Sequence, residues 1–335
     1  MRINIHTLGD STLDNIFWVA NKKDSVEGQL QSELGKEYKV VSHAYDGFTT
    51  NSLLQGDVVG RVLPAGSKKE EYLREKLGTS TELHINPITK LSEEISKKPD
   101  AKHYVVISVG GNDFRENLST PWKLFTIIPD VQKKYLEILD KVQKLNPNVK
   151  PILMFQYRTD VKNDPYCIYS ILGIAGRLVT GINTLALGVI AGSCVALIAF
   201  NASAHVAGAL ILLSAATLCL SQKIAPLRVT IDILSGKHPG IIMINSLMEK
   251  LYKSILERAK KDKIPVLDLP NSFNPHESLY ICGIEPNKEG GKRIALGLSH
   301  IIKNYASGIF QCDGTVAEID PNGWRVKYVT EPIKH

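Results

Sequence analysis

The sequence predicts an α/β sandwich wound on both sides of a mainly parallel sheet, and three observations predict it. Short apolar runs recur along the chain, amphipathic stretches separate them, and the two kinds alternate. The runs at 2–8, 38–44, 103–109, 151–156 and 265–269 are rich in Val, Ile or Leu, as strands buried on both faces are. The stretches at 87–98, 127–145, 241–261 and 287–305 carry helical periodicity. In such sheets ligands bind beyond the carboxyl ends of the strands, so the loops that follow strands are the place to look for chemistry.

A chain of 335 residues with 44% apolar and 22% charged residues can bury a sizeable core, which excludes a disordered chain. The net charge of +6 is spread along the sequence, without an Arg-rich tract or a basic helix carrying aromatics. Nucleic acid is therefore not an expected partner, whereas a mild attraction to anionic membrane surfaces is. The opening MRINIHTLGDS reads as a strand and lacks the pattern of a secretory signal. Cys167, Cys194, Cys219, Cys282 and Cys312 have no paired or zinc-like spacing, so free thiols in a reducing compartment are expected. No metal motif and no phosphate-cradling glycine loop is present, and no cofactor is expected.

One region departs from the alternation. Residues 178–222 contain no Asp, Glu, Lys or Arg. The 23-residue run LVTGINTLALGVIAGSCVALIAF reaches roughly 35 Å as a helix, enough for a hydrocarbon core of about 30 Å. NASAH supplies a polar turn bearing His205, and VAGALILLSAATLCL returns as a shorter second arm. Gly188 and Gly192 form a small-xxx-small pair, which predicts a close approach of helix backbones. Lys162, Arg177, Lys223 and Arg228 flank the hairpin, so a membrane-inserted hairpin is expected with the α/β part on the cytosolic side. The alternative is an apolar lid folded over the crevice. Either one points to an apolar or membrane-bound ligand.

The loops after strands carry the reactive groups. The first strand ends in LGDSTLDN, which places Asp10 and Ser11 at its carboxyl end. The second is followed by AYDGFTT, where Gly47 can offer a backbone N–H without a side chain in the way. The third gives VGGNDF, with the side-chain amide of Asn112 at the mouth. Together the N–H groups of Ser11 and Gly47 and the Asn112 amide would make three convergent donors for an oxyanion, one such donor being worth ~3 kcal/mol. Asp10 and Asp113 read as braces for these loops.

These three blocks, GDSxxDN, DGFTT and GGND, each after a strand and in this order, closely resemble the SGNH or GDSL-type hydrolases. The resemblance covers residues 1–157 and resumes over about 239–305. It implies a flavodoxin-like three-layer α/β/α sandwich, a serine nucleophile at Ser11, and an oxyanion hole from Ser11, Gly47 and Asn112. It also divides the chain: a first α/β part at 1–157, an inserted hairpin at 158–238, a second α/β part at 239–306, and a C-terminal β-hairpin at 307–335 turning at Pro321–Gly323. That tail reads as an appendage.

The family's final block is altered. Aligned on it, CGIEPNKEGGKRIA puts Glu285 where the family has its histidine and Cys282 where it has the orienting aspartate. A carboxylate at 285 would be repelled by an aspartate three residues earlier and needs no partner to fix a tautomer, so the two changes are coherent. Glu is less basic than His, with reference pKa values near 4.3 and 6.5, a deficit costing about tenfold in proton removal at a mid-range Brønsted slope. His276 and His238 are the other candidate bases. His6 and His43, lying in strands, read as core. Three functions follow. The first is a serine hydrolase or acyltransferase that acts on a lipid or other acyl ester at a membrane through a Ser11 acyl-enzyme, with Glu285 as base. The second is a membrane-anchored pseudoenzyme that only binds. The third is a carbohydrate deacetylase, which the apolar insertion argues against.

Overall fold

The structure, a computed structural model, describes residues 3–61, 67–117, 123–157, 159, 168–200, 204–224, 226–273, 279–281, 283–306, 316–319 and 326–329. The chain forms two compact units, one of Met1–Glu116, Pro129–Asp164 and Leu251–His335, the other of Asn117–Ile128 and Pro165–Lys250.

The first unit is built on a seven-stranded sheet. Its strands are β1 (Ile3–Gly9), β2 (Tyr38–Ala44), β3 (His103–Ser108), β4 (Val149–Phe155), β5 (Val266–Asp268), β6 (Val316–Ile319) and β7 (Val326–Val329). The order across the sheet is β7-β6-β5-β4-β3-β1-β2. Every pairing is parallel except β6 with β7. Strand β3, which lies between β4 and β1, is buried along its whole length, as a parallel strand covered on both faces must be.

One face packs Ile5, Val106, Met154 and Leu267 beneath Val26 and Leu30 of helix Val26–Leu34 and Leu298 and Ile301 of helix Lys288–Ala306. On the opposite face Tyr135, from helix Ile128–Lys144, donates its hydroxyl to the Ile107 carbonyl at 3.1 Å. Tyr252, from helix Pro239–Asp262, stacks on Phe155 at 4.0 Å between centroids. The result is a three-layer α/β/α sandwich. Its five expected strands and four expected helices occur with ends shifted by at most two residues. Helices Val26–Leu34 and Ser67–Leu77 were not expected. The first is short and capped by Ser25, whose Oγ accepts from Gly28 N at 3.1 Å. The tail strands were expected as an appendage, but β6 pairs with β5 and they extend the sheet. The turn between them lies outside the described residues.

Three histidines form a row across β2, β1 and β3. His6 lies between His43 and His103, with ring nitrogens 3.2 and 3.0 Å apart, and His103 Nε2 meets the Lys98 carbonyl at 2.9 Å. That carbonyl can only accept, so His103 Nε2 carries hydrogen. In neutral rings the same polarity then runs along the row, His6 Nε2 donating to His103 Nδ1 and His43 Nε2 donating to His6 Nδ1.

The second unit is helical. Helices Ile168–Phe200 and Ala204–Ile224 pack side by side, and Leu227–Leu234 packs on the first of them. Both long helices are long and apolar enough to cross a membrane. The second arm is longer than the sequence pattern suggested, because the helix continues through Ser221 and Gln222. Buried Asn183 donates Nδ2 to Thr230 Oγ1 at 2.7 Å and accepts from the Ser221 hydroxyl. The close approach expected at Gly188 and Gly192 does not occur with any described residue, since a side chain at either position would meet nothing among them within 4 Å. It occurs at Gly240 instead, where a Cβ would lie 2.1 Å from the Tyr169 carbonyl oxygen.

Candidate active site

Because β1 lies between β2 and β3 and all three run parallel, the loops carrying Ser11, Gly47 and Asn112 leave the same edge of the sheet. At the end of β1, Gly9 is pressed against β3. A Cβ on it would sit 1.9 Å from the Ser108 carbonyl oxygen, so only glycine fits. The chain then makes one tight turn, with Leu13 N and Asp14 N donating to the Asp10 carbonyl at 3.0 and 2.9 Å. Asp10 braces it through Oδ1, which accepts from Thr12 N at 3.1 Å, and through Oδ2, which accepts from Gln156 Nε2 at 2.5 Å. Ser11 is the residue this turn presents.

Glu285 arrives from the far end of the chain. It lies in a short strand, Glu285–Pro286, paired antiparallel with Tyr280–Ile281. Two hydrogen bonds hold that strand beside the Ser11 turn: Asn15 Nδ2 to the Pro286 carbonyl at 2.9 Å, and the Tyr157 hydroxyl to the Ile284 carbonyl at 2.5 Å. Ser11 Oγ donates to Glu285 Oε1 at 3.0 Å. The other oxygen, Oε2, is buried without a hydrogen-bond partner among the described residues.

Gly47 has φ +83° in a turn closed by Phe48 N donating to the Tyr45 carbonyl at 3.2 Å. Asn112, at the start of helix Gly111–Arg115, donates Nδ2 to the Phe48 carbonyl at 2.9 Å, which ties it to the residue after Gly47. Asp113 fixes the same two loops together, accepting from Thr50 N at 2.9 Å and Thr50 Oγ1 at 2.6 Å.

Several carboxyls crowd the site. Burial pushes Asp10 up to about 6, against the opposing hydrogen bonds from Thr12 and Gln156. Burial, and then the charge of Asp14, pushes Asp46 up to about 7, although Arg115 and a hydrogen bond from Trp18 Nε1 oppose this. Glu285 is held well above the usual carboxylate range, first by burial and next by Asp46; the Ser11 hydroxyl and Arg115 pull the other way. Asp46 connects outward too, since Tyr72 Oη accepts from Asp46 N at 3.1 Å and donates to Asp14 Oδ2 at 2.5 Å. Tyr72 lines a cleft of about 450 Å³ together with Phe17, Lys22, Lys68, Glu71 and Glu75.

Sequence reasoning did not single out Asp46, Arg115, Gln156 or Tyr72. Asp46 stands beside Gly47 and Gln156 at the end of β4, so the rule about strand ends reaches both. Arg115 and Tyr72 sit on helices and carry no such signal. His238 is exposed in the second unit, and His276 and Cys282 lie outside the described residues. Among the described residues no cluster of three or more His, Cys, Asp or Glu is arranged to hold a metal ion.

No protein-family model matches the chain, and no curated protein matches it. Among solved structures it is similar to an aryl esterase of M. smegmatis, with 12% identity and a TM-score of 0.42, covering 90% of this chain and 99% of that one. An extracellular lipase from Streptomyces rimosus gives 11% identity and a TM-score of 0.44 over 90% and 99% of the two chains. Est24, a carbohydrate acetylesterase from Sinorhizobium meliloti, gives 12% and 0.41 over 92% and 100%. The likeness is one of fold.

Proposed function

We propose that this chain is an SGNH-like serine hydrolase or acyltransferase that acts on a lipid or other acyl ester at a membrane. The observation that carries this reading is the hydrogen bond from Ser11 Oγ to Glu285 Oε1. In the proposed reaction Ser11 Oγ bonds to the ester carbonyl carbon as Glu285 takes the hydroxyl proton. The N–H groups of Ser11 and Gly47 and the Asn112 amide stabilise the oxyanion. The carbon–alkoxide bond then breaks, the alcohol leaves with the proton from Glu285, and water or a second alcohol releases the acyl group by the reverse sequence. The choice of substrate rests on the two apolar helices, read as a membrane hairpin with the α/β unit on the cytosolic side.

A second reading, a protein that binds without catalysis, is favoured by one observation. A buried Glu285 carboxyl held above its ordinary range is neutral until the pH rises, and a neutral carboxyl takes no proton. A fluorophosphonate probe on the full chain in detergent separates the two. The hydrolase reading expects covalent labelling that Ser11→Ala abolishes; absence of labelling from pH 6 through pH 10 leaves only binding. Carbonate extraction tests the hairpin, and recovery of the whole protein in the detergent-free supernatant would favour the lid.

A further inference from the structure

Helix Leu227–Leu234 has three unlike sides. Val229 and Thr230 are buried, and Thr230 holds the Asn183 amide of the long hairpin helix at 2.7 Å. Arg228 and Asp232 form a polar side: Arg228 pairs with Glu249, and Asp232 with Lys237 at 2.6 Å. The third side carries Leu227, Ile231 and Leu234, at i, i+4 and i+7, which are 37%, 60% and 65% exposed. In water this stripe would gain nothing from being apolar. The hairpin exposes large apolar side chains as well, Ile174, Leu178 and Leu185 on one arm and Leu212, Leu213 and Leu220 on the other.

We infer that helix Leu227–Leu234 is an interfacial helix seated in the lipid bilayer, with Leu227, Ile231 and Leu234 among acyl chains and Arg228 and Asp232 turned to headgroups and water. The inference rests on the membrane reading of the hairpin and extends it to a segment too short to span. A partition of one helix into packed, polar and exposed apolar sides is what a bilayer boundary selects. Charge agrees with this placement. Exposed Arg177, Arg228 and Lys237 cluster in sequence around the charge-free stretch 178–222, where cations meet anionic headgroups. Asn183, bonded to both Ser221 and Thr230, ties the helix to both arms so that it enters the interface with them.

The test places nitroxide labels at Ile231→Cys, Leu234→Cys, Arg228→Cys and Lys237→Cys in a chain whose own cysteines are replaced. The chain is reconstituted into phosphatidylcholine vesicles containing phosphatidylserine, and Leu187→Cys and Leu212→Cys report the arms. Labels at 231 and 234 are expected to collide severalfold more with oxygen, and severalfold less with a water-soluble nickel chelate, than those at 228 and 237. Equal access of the chelate to 231, 234 and 228 while 187 and 212 stay protected overturns this inference alone. Chelate access at 187 and 212 as well overturns the membrane hairpin and this inference with it. Should the cysteine replacements unfold the chain, Ile231→Trp and Leu234→Trp with the native cysteines read the same depth. Added fluorescence quenched by brominated phosphatidylcholine supports the inference, and unquenched fluorescence overturns it.

Discussion

Ser11 Oγ donates to Glu285 Oε1 at 3.0 Å across a separation of 274 positions. The carboxyl that accepts is buried and held above its ordinary range. Its sign decides the first prediction. A base acts only when ionised, so probe labelling at Ser11 should be weak at mildly acidic pH and rise as the pH climbs through the raised pKa. Glu285→Gln should remove that rise and slow labelling on the order of a hundredfold at high pH. A flat profile for the unaltered protein, or an unaffected Gln variant, would remove Glu285 from the base role.

Asp46 should make the protein less stable as the pH rises. The native carboxyl keeps its proton until about pH 7, whereas in the unfolded chain it releases it near the reference value of about 4. Between those limits the native state binds more protons, so unfolding free energy falls with increasing pH. Asp46→Asn keeps an acceptor for Trp18 and removes the titration. Relative to the parent it should gain stability between pH 4 and pH 7, by on the order of 1 to a few kcal/mol. Urea midpoints at the two pH values check this, and an unchanged difference between them would contradict it.

The histidine row acts in the opposite direction. Burial first, and then neighbouring charges, depress His6 and His43 to about 3; Lys39, Lys76 and Lys90 push downward and Glu94 upward on His6. The unfolded chain takes up these protons near pH 6.5 and the native chain does not until about pH 3, so stability is lost as the pH falls through that window. Imidazole nitrogen resonances should show His6 and His43 neutral at pH 5. Titration of His6 or His43 near pH 6.5 would be the contrary result.

Gly9→Ala should destabilise the first unit severely, by roughly 3 kcal/mol or more, because the added methyl has only the Ser108 carbonyl to displace. Gly35→Ala is the contrast. Its φ of 81° with ψ of −171° costs strain, but nothing among the described residues lies within 4 Å of the added carbon, so the loss should stay at the strain alone, roughly 1 to 3 kcal/mol. Thermal midpoints of the two variants should rank in that order.

Much of this protein was legible before its fold. Apolar runs with strand character located β1 to β5, because a strand buried on both faces has to be apolar throughout, and the absence of charge over 178–222 marked both long helices. The rule that reactive loops follow strands led to Ser11, Gly47 and Asn112, and adjacent parallel strands bring those three loops to one edge. The altered final block already pointed to Glu285 as the base for Ser11; only the tertiary structure gave the means, two hydrogen bonds that fasten Glu285–Pro286 beside the turn. It alone decided that Asp46 and Asp10 both act on Glu285, that the tail strands extend the sheet, and that Gly188 and Gly192 meet nothing among the described residues. The division has a physical cause. Periodicity and hydropathy are local and survive in the order of residues, whereas burial, a raised carboxyl and a close approach depend on what distant segments bring to the same place.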